Sequence, residues 1–557
     1  MPLGLVQCPR RSDHLSTLLK VQVGALATSK LQWQQPSSQP AIMMDNPLLV
    51  SLALLLSGTL VSCYLWKKNS PSSRLPPGPP PLPILGNVLD IPSSEPWVAY
   101  KEWTGKYGDV FCIRLLTQTA IILNSLESAK ALLEHRSQNY SSRPYLGAID
   151  MLDANWNMAF LPYGDKWRLQ RKVFQHPLRA EGVLAYRPMQ LARARELVAS
   201  MMRDPEGYKE HLEMHSTSII MASMYDYHPA PRNDPMVNKI QTVARMFGLA
   251  VTPERSAVFS AFPWLMHVPS WVPGFSFQRT VAEVRALTAW WLDDPFEYTI
   301  TKKSQGTLGP CVIEDALTRI TDEDEAYARQ EQQAVKEAAA TSFAAATDTT
   351  ASTLQVFILA MTIYPDVQKR AQREIESVVG TDRLPNFDDR PRLPYVEAVL
   401  RETLRWHPAV PLSLPHCNVS DDVYGGYVIP KGTTVIPNVW AMAHDETKYA
   451  DPTRFDPGRF FDADGALNND TVSYAFGFGR RVCIGRYLAD ASVWSAIVHL
   501  LASFTFRDPG ADADDRRGAR SGPRFTTGIT SQPEPFRLEI IPRYDDEKVV
   551  LLLGEEE

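Results

Sequence analysis

The chain has 557 residues, 44% hydrophobic and 22% charged, the proportions of a folded globular protein. Fifty-seven basic against 63 acidic side chains leave a formal charge of −6, which offers no broad basic field, so no nucleic-acid partner is expected. The six cysteines, at 8, 63, 112, 311, 417 and 483, make no CxxC or CxH cluster, which argues against a disulfide framework and against a zinc site.

Residues 1–46 read as a polar tail. Its basic residues Arg10, Arg11, Lys20 and Lys30 face a single acid, Asp13, ahead of position 45, a composition like that of a transit peptide. Translation starting at Met43 or Met44 is the simpler reading, with the upstream part a gene-model extension. Residues 47–66, PLLVSLALLLSGTLVSCYLW, carry no charge and have about the length of a bilayer-spanning helix. Lys67, Lys68 and Arg74 follow, so a single-pass anchor with the body in the cytosol is expected. The stretch 67–83 ends in the run Leu75–Pro83, whose polyproline geometry makes a stiff hinge. Residues 84–557 hold no repeat and no second linker and read as one large catalytic domain.

Apolar periodicity predicts helices near 94–106, 126–136, 164–176, 189–203, 235–247, 281–300, 331–364, 366–378, 393–406 and 484–504. Strand-like runs are Val110–Leu115, Ala120–Leu123, Tyr427–Ile429, Thr434–Ile436 and Phe536–Ile541. The stretch from about 412 to 480 is rich in Pro, Gly, Asp and Asn and is expected to be mostly coil. The fold class is therefore mainly α with a small β part.

The most informative segment is Phe476-Gly-Phe-Gly-Arg-Arg-Val-Cys483-Ile-Gly485. A cysteine sits in a glycine-rich turn that opens a long apolar helix. Backbone N–H groups at such a helix start can point at the sulfur and favour its thiolate. Arg481 adds a fixed cation beside any anionic cofactor edge. A thiolate ligand pushes electron density onto haem iron and favours O–O cleavage. The segment resembles the haem-binding signature F-x-x-G-x-R-x-C-x-G of the cytochrome P-450 family, matched at Phe476, Gly479, Arg481, Cys483 and Gly485. The resemblance covers about residues 75–545. It implies the fold of that family, haem b as cofactor and Cys483 as ligand to the iron, with Phe476 and Arg481 at the cofactor.

Other motifs follow the family's order. Residues 336–364 read as a long helix in which Asp348, Thr349 and Thr350 interrupt an apolar stretch. A buried acid and alcohol need partners or water, and such a pair can relay protons toward dioxygen. Ala345–Thr350 resembles the family's A-G-x-D-T-T, which implies Thr349 as the oxygen-side alcohol and Asp348 as its proton-relay partner. Ala346 stands where the family usually has glycine. Glu402 and Arg405 lie at i,i+3 on one helix face and resemble the family's E-x-x-R, with Arg459 as third partner in a folding role. Trp167 and Arg171 match W-x-x-x-R, and with His416 and Arg481 the resemblance puts them at the haem propionates. His407 is read as structural.

An apolar pocket above the cofactor is expected from the loop 145–160, with Leu146, Ile149, Met151, Leu152, Trp156 and Met158, and from 246–263, Phe343 and 410–414. Such stripes are more often ordinary core than pocket lining. The stretch 269–274 is similar to fungal members that act in secondary metabolism. The resemblance thus implies a membrane-anchored monooxygenase of the endoplasmic reticulum. Its expected substrate is a lipophilic small molecule such as a terpenoid or polyketide. No dinucleotide or iron–sulfur pattern is present, so electrons must come from a separate partner, implied to be an NADPH-dependent reductase. Two other readings stay open: a haem-thiolate isomerase or dehydratase acting on peroxides, disfavoured by the acid–alcohol pair, and a non-catalytic haem sensor.

Overall fold

The structure is a computed structural model, and it describes residues 57–58, 75–545 and 548 apart from 84, 117, 231, 251–252, 273–276, 321–323 and 511–521. The chain divides into residues 1–72 and 73–557. The tail and the 47–66 anchor lie outside the described residues, save Ser57 and Gly58, which are helical. Among the described residues no helix is long and apolar enough to cross a membrane.

The second unit is mainly helical with three small sheets. The longer helices are α1 Pro96–Tyr107, α2 Asp165–Gln175, α3 Arg187–Arg203, α4 Tyr208–Tyr225, α5 Pro235–Ala250, α6 Pro253–Ala261, α7 Phe277–Ser304, α8 Glu325–Ile363, α9 Pro365–Val379, α10 Pro394–Trp406 and α11 Arg486–Ser503. Strands β1 Val110–Leu115, β2 Gln118–Leu123, β3 His416–Cys417 and β6 Thr434–Pro437 form one sheet in the order β1-β2-β6-β3. Its β2–β6 pair is parallel and the other two pairs are antiparallel. Strands β4 Asp422–Tyr424 and β5 Tyr427–Ile429 form a hairpin, and β7 Phe504–Arg507 pairs antiparallel with β8 Glu539–Pro542. The proline-rich run packs on the sheet edge: the Cys112 N–H of β1 donates to the Pro77 carbonyl at 2.8 Å. Prolines lack an N–H, so at its proline positions the run can offer an edge strand only carbonyls.

The predicted helices are all present with small shifts at their ends, except that 126–136 is a short α-turn, Leu126–Ala129, running into a π-helical segment, Lys130–His135. Among the described residues, three helices of seven residues or more escape the periodicity: α4, α6 and Val312–Thr318. Thirteen of the eighteen residues of α4 are buried, on every side, so it has no polar face to set a period. The stretch 412–480 is less irregular than its composition suggests, since it holds β3 to β6 and the helix Val439–Ala443. The last strand begins at Glu539, three residues later than expected, and pairs with β7, which lies hidden at the end of the α11 hydrophobic run.

Long α8 is the axis of the core. Its C-terminal half packs with α9, α10 and α11 in one apolar cluster, and its middle packs with α4, α5 and α7 in another. Helix α4 contributes Tyr208 and Leu212 to the cluster around Ala351–Met361, and Ile220–Tyr225 to that around Val335–Phe343. The two helices therefore run antiparallel.

Candidate active site

The cysteine loop is shaped by two glycines. Gly477 and Gly479 have φ of 83° and 54°, the left-handed region that favours glycine. A Cβ on Gly479 would lie 2.0 Å from the Leu133 carbonyl oxygen of the π-helical segment, so the loop can seat there only without a side chain. The Cys483 N–H then donates to the Phe476 carbonyl at 2.8 Å, closing the turn just before α11. Gly485 is different. Its φ is −86° and a Cβ would meet nothing within 4 Å, so neither backbone nor packing of the chain itself requires glycine there. That open space lies two residues from the sulfur.

The Cys483 side chain is exposed, although protein surrounds it closely, so it faces internal space and not bulk solvent. Burial pushes its thiol pKa up, against the Gly485 N–H and the Arg171 and Arg486 guanidinium groups, which favour the thiolate.

Next to the loop the chain gathers cations. Arg481 donates to the carbonyls of Ser141 at 2.7 Å, Met158 at 3.3 Å and Leu161 at 2.7 Å, and lies 4.4 Å from the centroid of the Trp167 ring. Trp167 and Arg171 come from one face of α2, with the guanidinium 6.0 Å from the indole. His416, on β3, donates from Nδ1 to the Tyr140 carbonyl at 2.8 Å, which leaves Nε2 free of that bond. Arg143 is a residue the motifs missed. It donates to Ala159, Leu414 and Pro415 carbonyls, the last at 2.7 Å, beside His416. The only sequence signal for it is a lone charge between Arg136 and Asp150.

No carboxylate answers this cluster among the described residues. Arg481 is pushed down to about 8 by burial, then by Arg143 and Arg171, and Arg143 to about 10 by burial. Arg171 is lowered by burial too, and its one favourable charge is Cys483. Burial, Arg143 and Arg481 take His416 down to about 3. Guanidinium groups stay protonated in proteins, so these directions measure the cost of three half-buried, partly desolvated cations with no counter-anion among the described residues. A flat group with two carboxylates and a metal that takes a thiolate fits this donor set: the carboxylates answer the cations, and the metal charge answers the sulfur. Haem is such a group.

The oxygen-side candidates lie on α8, which is unbroken from Glu325 to Ile363. The Thr349 hydroxyl donates to the Ala345 carbonyl one turn back at 2.8 Å. Asp348 has an exposed side chain in a setting that still desolvates it, and its pKa is raised, with Arg245 of α5 pulling the other way. Ala344 and Ala346 share an apolar cluster with Ile484 and Leu488, so this part of α8 and the start of α11 belong to one core. No hydrogen bond joins Asp348 or Thr349 to the cysteine loop among the described residues.

Behind the loop, Glu402 and Arg405 are fully buried. They pair bidentately at 2.6 and 2.8 Å, and Arg459 reaches the same carboxylate at 3.1 Å. The Asp456 N–H and the Ala443, Pro452 and Arg454 carbonyls satisfy the remaining valences. His407 is buried, stacked on Phe525 and bonded to Ser531, a structural residue as expected. Of the expected pocket walls, Ile149, Met151 and Leu152 form a closed core with Phe259, Val281 and Val284, and Trp156 packs edge-on to Trp291. They hold helices together, and their side chains leave little surface for a ligand.

The protein-family model described as Cytochrome P450 matches residues 76–539. The cytochrome P450 monooxygenase claR of Ampulloclitocybe clavipes is 37% identical over 504 residues, 89% of this chain and 91% of that protein. The cytochrome P450 monooxygenase COX1 of Coprinopsis cinerea is 36% identical, covering 83% of this chain and 90% of its own length. A third, from Armillaria gallica, is 35% identical over 88% of this chain and 97% of its own. Family enzymes carry haem with a cysteine thiolate on the iron and use redox-partner reductases to act on small molecules. A match of this extent, over a chain whose thiol loop and cation cluster suit that cofactor, makes this protein a member of the cytochrome P450 family, a haem-dependent monooxygenase and oxidoreductase.

Proposed function

We propose that this monooxygenase inserts one atom of O2 into a lipophilic small molecule, by hydroxylation or epoxidation, with electrons from an NADPH-dependent reductase. The substrate class proposed is a terpenoid or polyketide of a fungal secondary-metabolite pathway. When bound, haem supplies reductive activation of O2, with Cys483 as its thiolate ligand. Phe476 and Gly485 border it, and Trp167, Arg171, His416 and Arg481, joined by Arg143, hold its carboxylates. Thr349 and Asp348 manage protons on the oxygen side: the hydroxyl, parked on the Ala345 carbonyl, can swing to a new acceptor, and burial raises the carboxyl's pKa above its ordinary value, which favours its proton-carrying form.

The single observation that carries this reading is the half-buried cluster Arg143, Arg171 and Arg481, with no carboxylate opposite it among the described residues. We place the enzyme at the endoplasmic reticulum membrane, anchored through residues 47–66 with the catalytic domain in the cytosol. Exposed apolar side chains near α6 support a lipid-facing surface, with Trp264 64% and Trp271 78% exposed beside Phe262.

The test is the absorption spectrum of dithionite-reduced protein under carbon monoxide. Wild type is expected to give a strongly red-shifted Soret band, and Cys483→Ala to lose it while still folded. A well-folded wild type with no haem spectrum overturns the reading. Given the spectrum, NADPH and reductase should support oxygen insertion into lipophilic probes. Turnover of peroxides without reductase would point instead to the isomerase class.

A further inference from the structure

The core around α8 contains polar groups that the proposed chemistry leaves unused. Helix α4 lies antiparallel along α8 and is buried nearly throughout. A helix so placed should be apolar toward its neighbour, yet α4 carries Glu213 and Thr217, four apart and so on one face. The Thr217 side chain is fully buried, and its hydroxyl has no hydrogen-bond partner among the described residues. Such an atom is costly if left dry, so a water is expected beside it. Glu213 has no hydrogen-bonded or ion-paired partner among the described residues either.

What Glu213 faces is informative. Burial raises its pKa first, and Asp348 second, ahead of Glu210, while Arg245 and Lys209 lower it. Asp348 in turn is raised by burial and lowered by Arg245. Glu213 of α4 is therefore within electrostatic reach of Asp348 of α8, and the exposed Arg245 of α5 is within reach of both. Like-charged carboxyls that are both desolvated are best satisfied by holding one proton between them. The register agrees with this. Leu212 belongs to the cluster that begins at Ala351 and Ile220 to the one that ends at Phe343, so in the antiparallel arrangement residues 213–219 of α4 lie level with about 344–350 of α8.

We propose that Glu213 is a positioning residue for the oxygen chemistry, acting through Asp348 as the outer member of a proton-sharing acid pair. Its carboxyl O–H breaks as the O–H on Asp348 forms, and Glu213 is then reprotonated from solvent at the Arg245 side. The Thr217 hydroxyl holds the water that bridges the pair. The inference rests on the assignment of Asp348 to proton management, and it adds the source of the proton.

The experiment needs no known substrate. Purified haem-loaded enzyme with reductase and NADPH consumes O2 unassisted, with release of hydrogen peroxide or water. Its rate is measured from pH 6 to 9 in H2O and in D2O for wild type, Glu213→Gln, Glu213→Asp and Asp348→Asn. Glu213→Gln is expected to slow consumption by about tenfold at the alkaline end, a modest share of general-acid catalysis. It should also raise the solvent isotope effect and send more O2 to peroxide. Glu213→Asp should recover most of the rate, which a packing defect would not do. Asp348→Asn should give the same pattern, and the double variant Glu213→Gln/Asp348→Asn should be no worse than the worse single one. Unchanged rate, pH profile and isotope effect in Glu213→Gln, with a wild-type carbon monoxide spectrum, overturn the inference. Should Glu213→Gln fail to load haem, a wild-type profile in Glu213→Asp/Thr217→Val overturns it instead. Failure of the functional reading is distinct, since the wild type itself would then lack the spectrum.

Discussion

Glu402 shows how far one side chain can be committed. Its two oxygens accept from Arg405, Arg459 and the Asp456 N–H, all in a dry environment. Burying such a triad gains little over an apolar core, but removing one partner strands the others. Glu402→Gln leaves two guanidinium groups facing a neutral amide. It should cost about 3–5 kcal/mol, read as a lower denaturation midpoint, with haem content falling in step. The exposed Arg507–Glu539 pair, although as short at 2.6 Å, should cost under about 1 kcal/mol when broken. Residues 402 and 405 were legible as a motif, but an i,i+3 acid–base pair is common on surfaces. Only their zero exposure separates this pair from decoration. Arg143 was illegible for the opposite reason: it belongs to no spacing pattern, and its partners are backbone carbonyls as far away in sequence as Leu414 and Pro415.

Elements were legible where one face meets water. Helices α9 and α10 have buried stripes at helical spacing and were placed within a residue or two. Helix α4 is sheathed by its neighbours and gave no stripe. Helix α6 packs so tightly on the short helix Gly147–Met151 that a Cβ on Gly147 would meet the Phe259 backbone at 2.7 Å, and the Gly147 N–H donates to Ser260 at 3.0 Å. Gly147→Ala must push α6 outward, at about 1–3 kcal/mol. Faster amide hydrogen exchange over residues 253–261 with an unchanged carbon monoxide spectrum is the expected outcome. Unaltered exchange there would mean that the α6 contact yields freely.

At the scale of the whole molecule, buried histidines set a pH limit. Burial takes His215 and His499 down to about 4 and His444 to about 3, and holds His407 well below its usual value. The sign follows from proton counting. Below the ordinary pKa of about 6.5 the unfolded chain protonates these rings and the folded chain does not, so protons favour unfolding. The stabilisation is complete above that value and is lost as pH falls toward 4. The carboxylates held low by cations, Asp389 through Arg383 and Asp315 through Arg319, add their loss only below their usual range near 3.8. Denaturation midpoints should be flat from pH 8 to 7 and fall steadily between 6 and 4.5. A flat profile across that lower range would show that these rings are already charged in the folded state.

Local chemistry was decided by the sequence alone. The thiol loop and the helical segment around Asp348 each rest on side chains within about ten residues of one another, so local spacing fixes their backbone geometry, whereas the burial of the Glu402–Arg405 pair came from the tertiary fold. The same holds for the helices with a wet face and for the strands β1 and β5. Tertiary structure decided what depends on encounters between distant segments. It brought Arg143, Arg171, His416 and Arg481 together without a counter-charge among the described residues, put Glu213 within electrostatic reach of Asp348, and turned Ile149, Met151 and Leu152 into core. Such encounters follow from packing over the whole chain, and no short stretch of sequence carries that information.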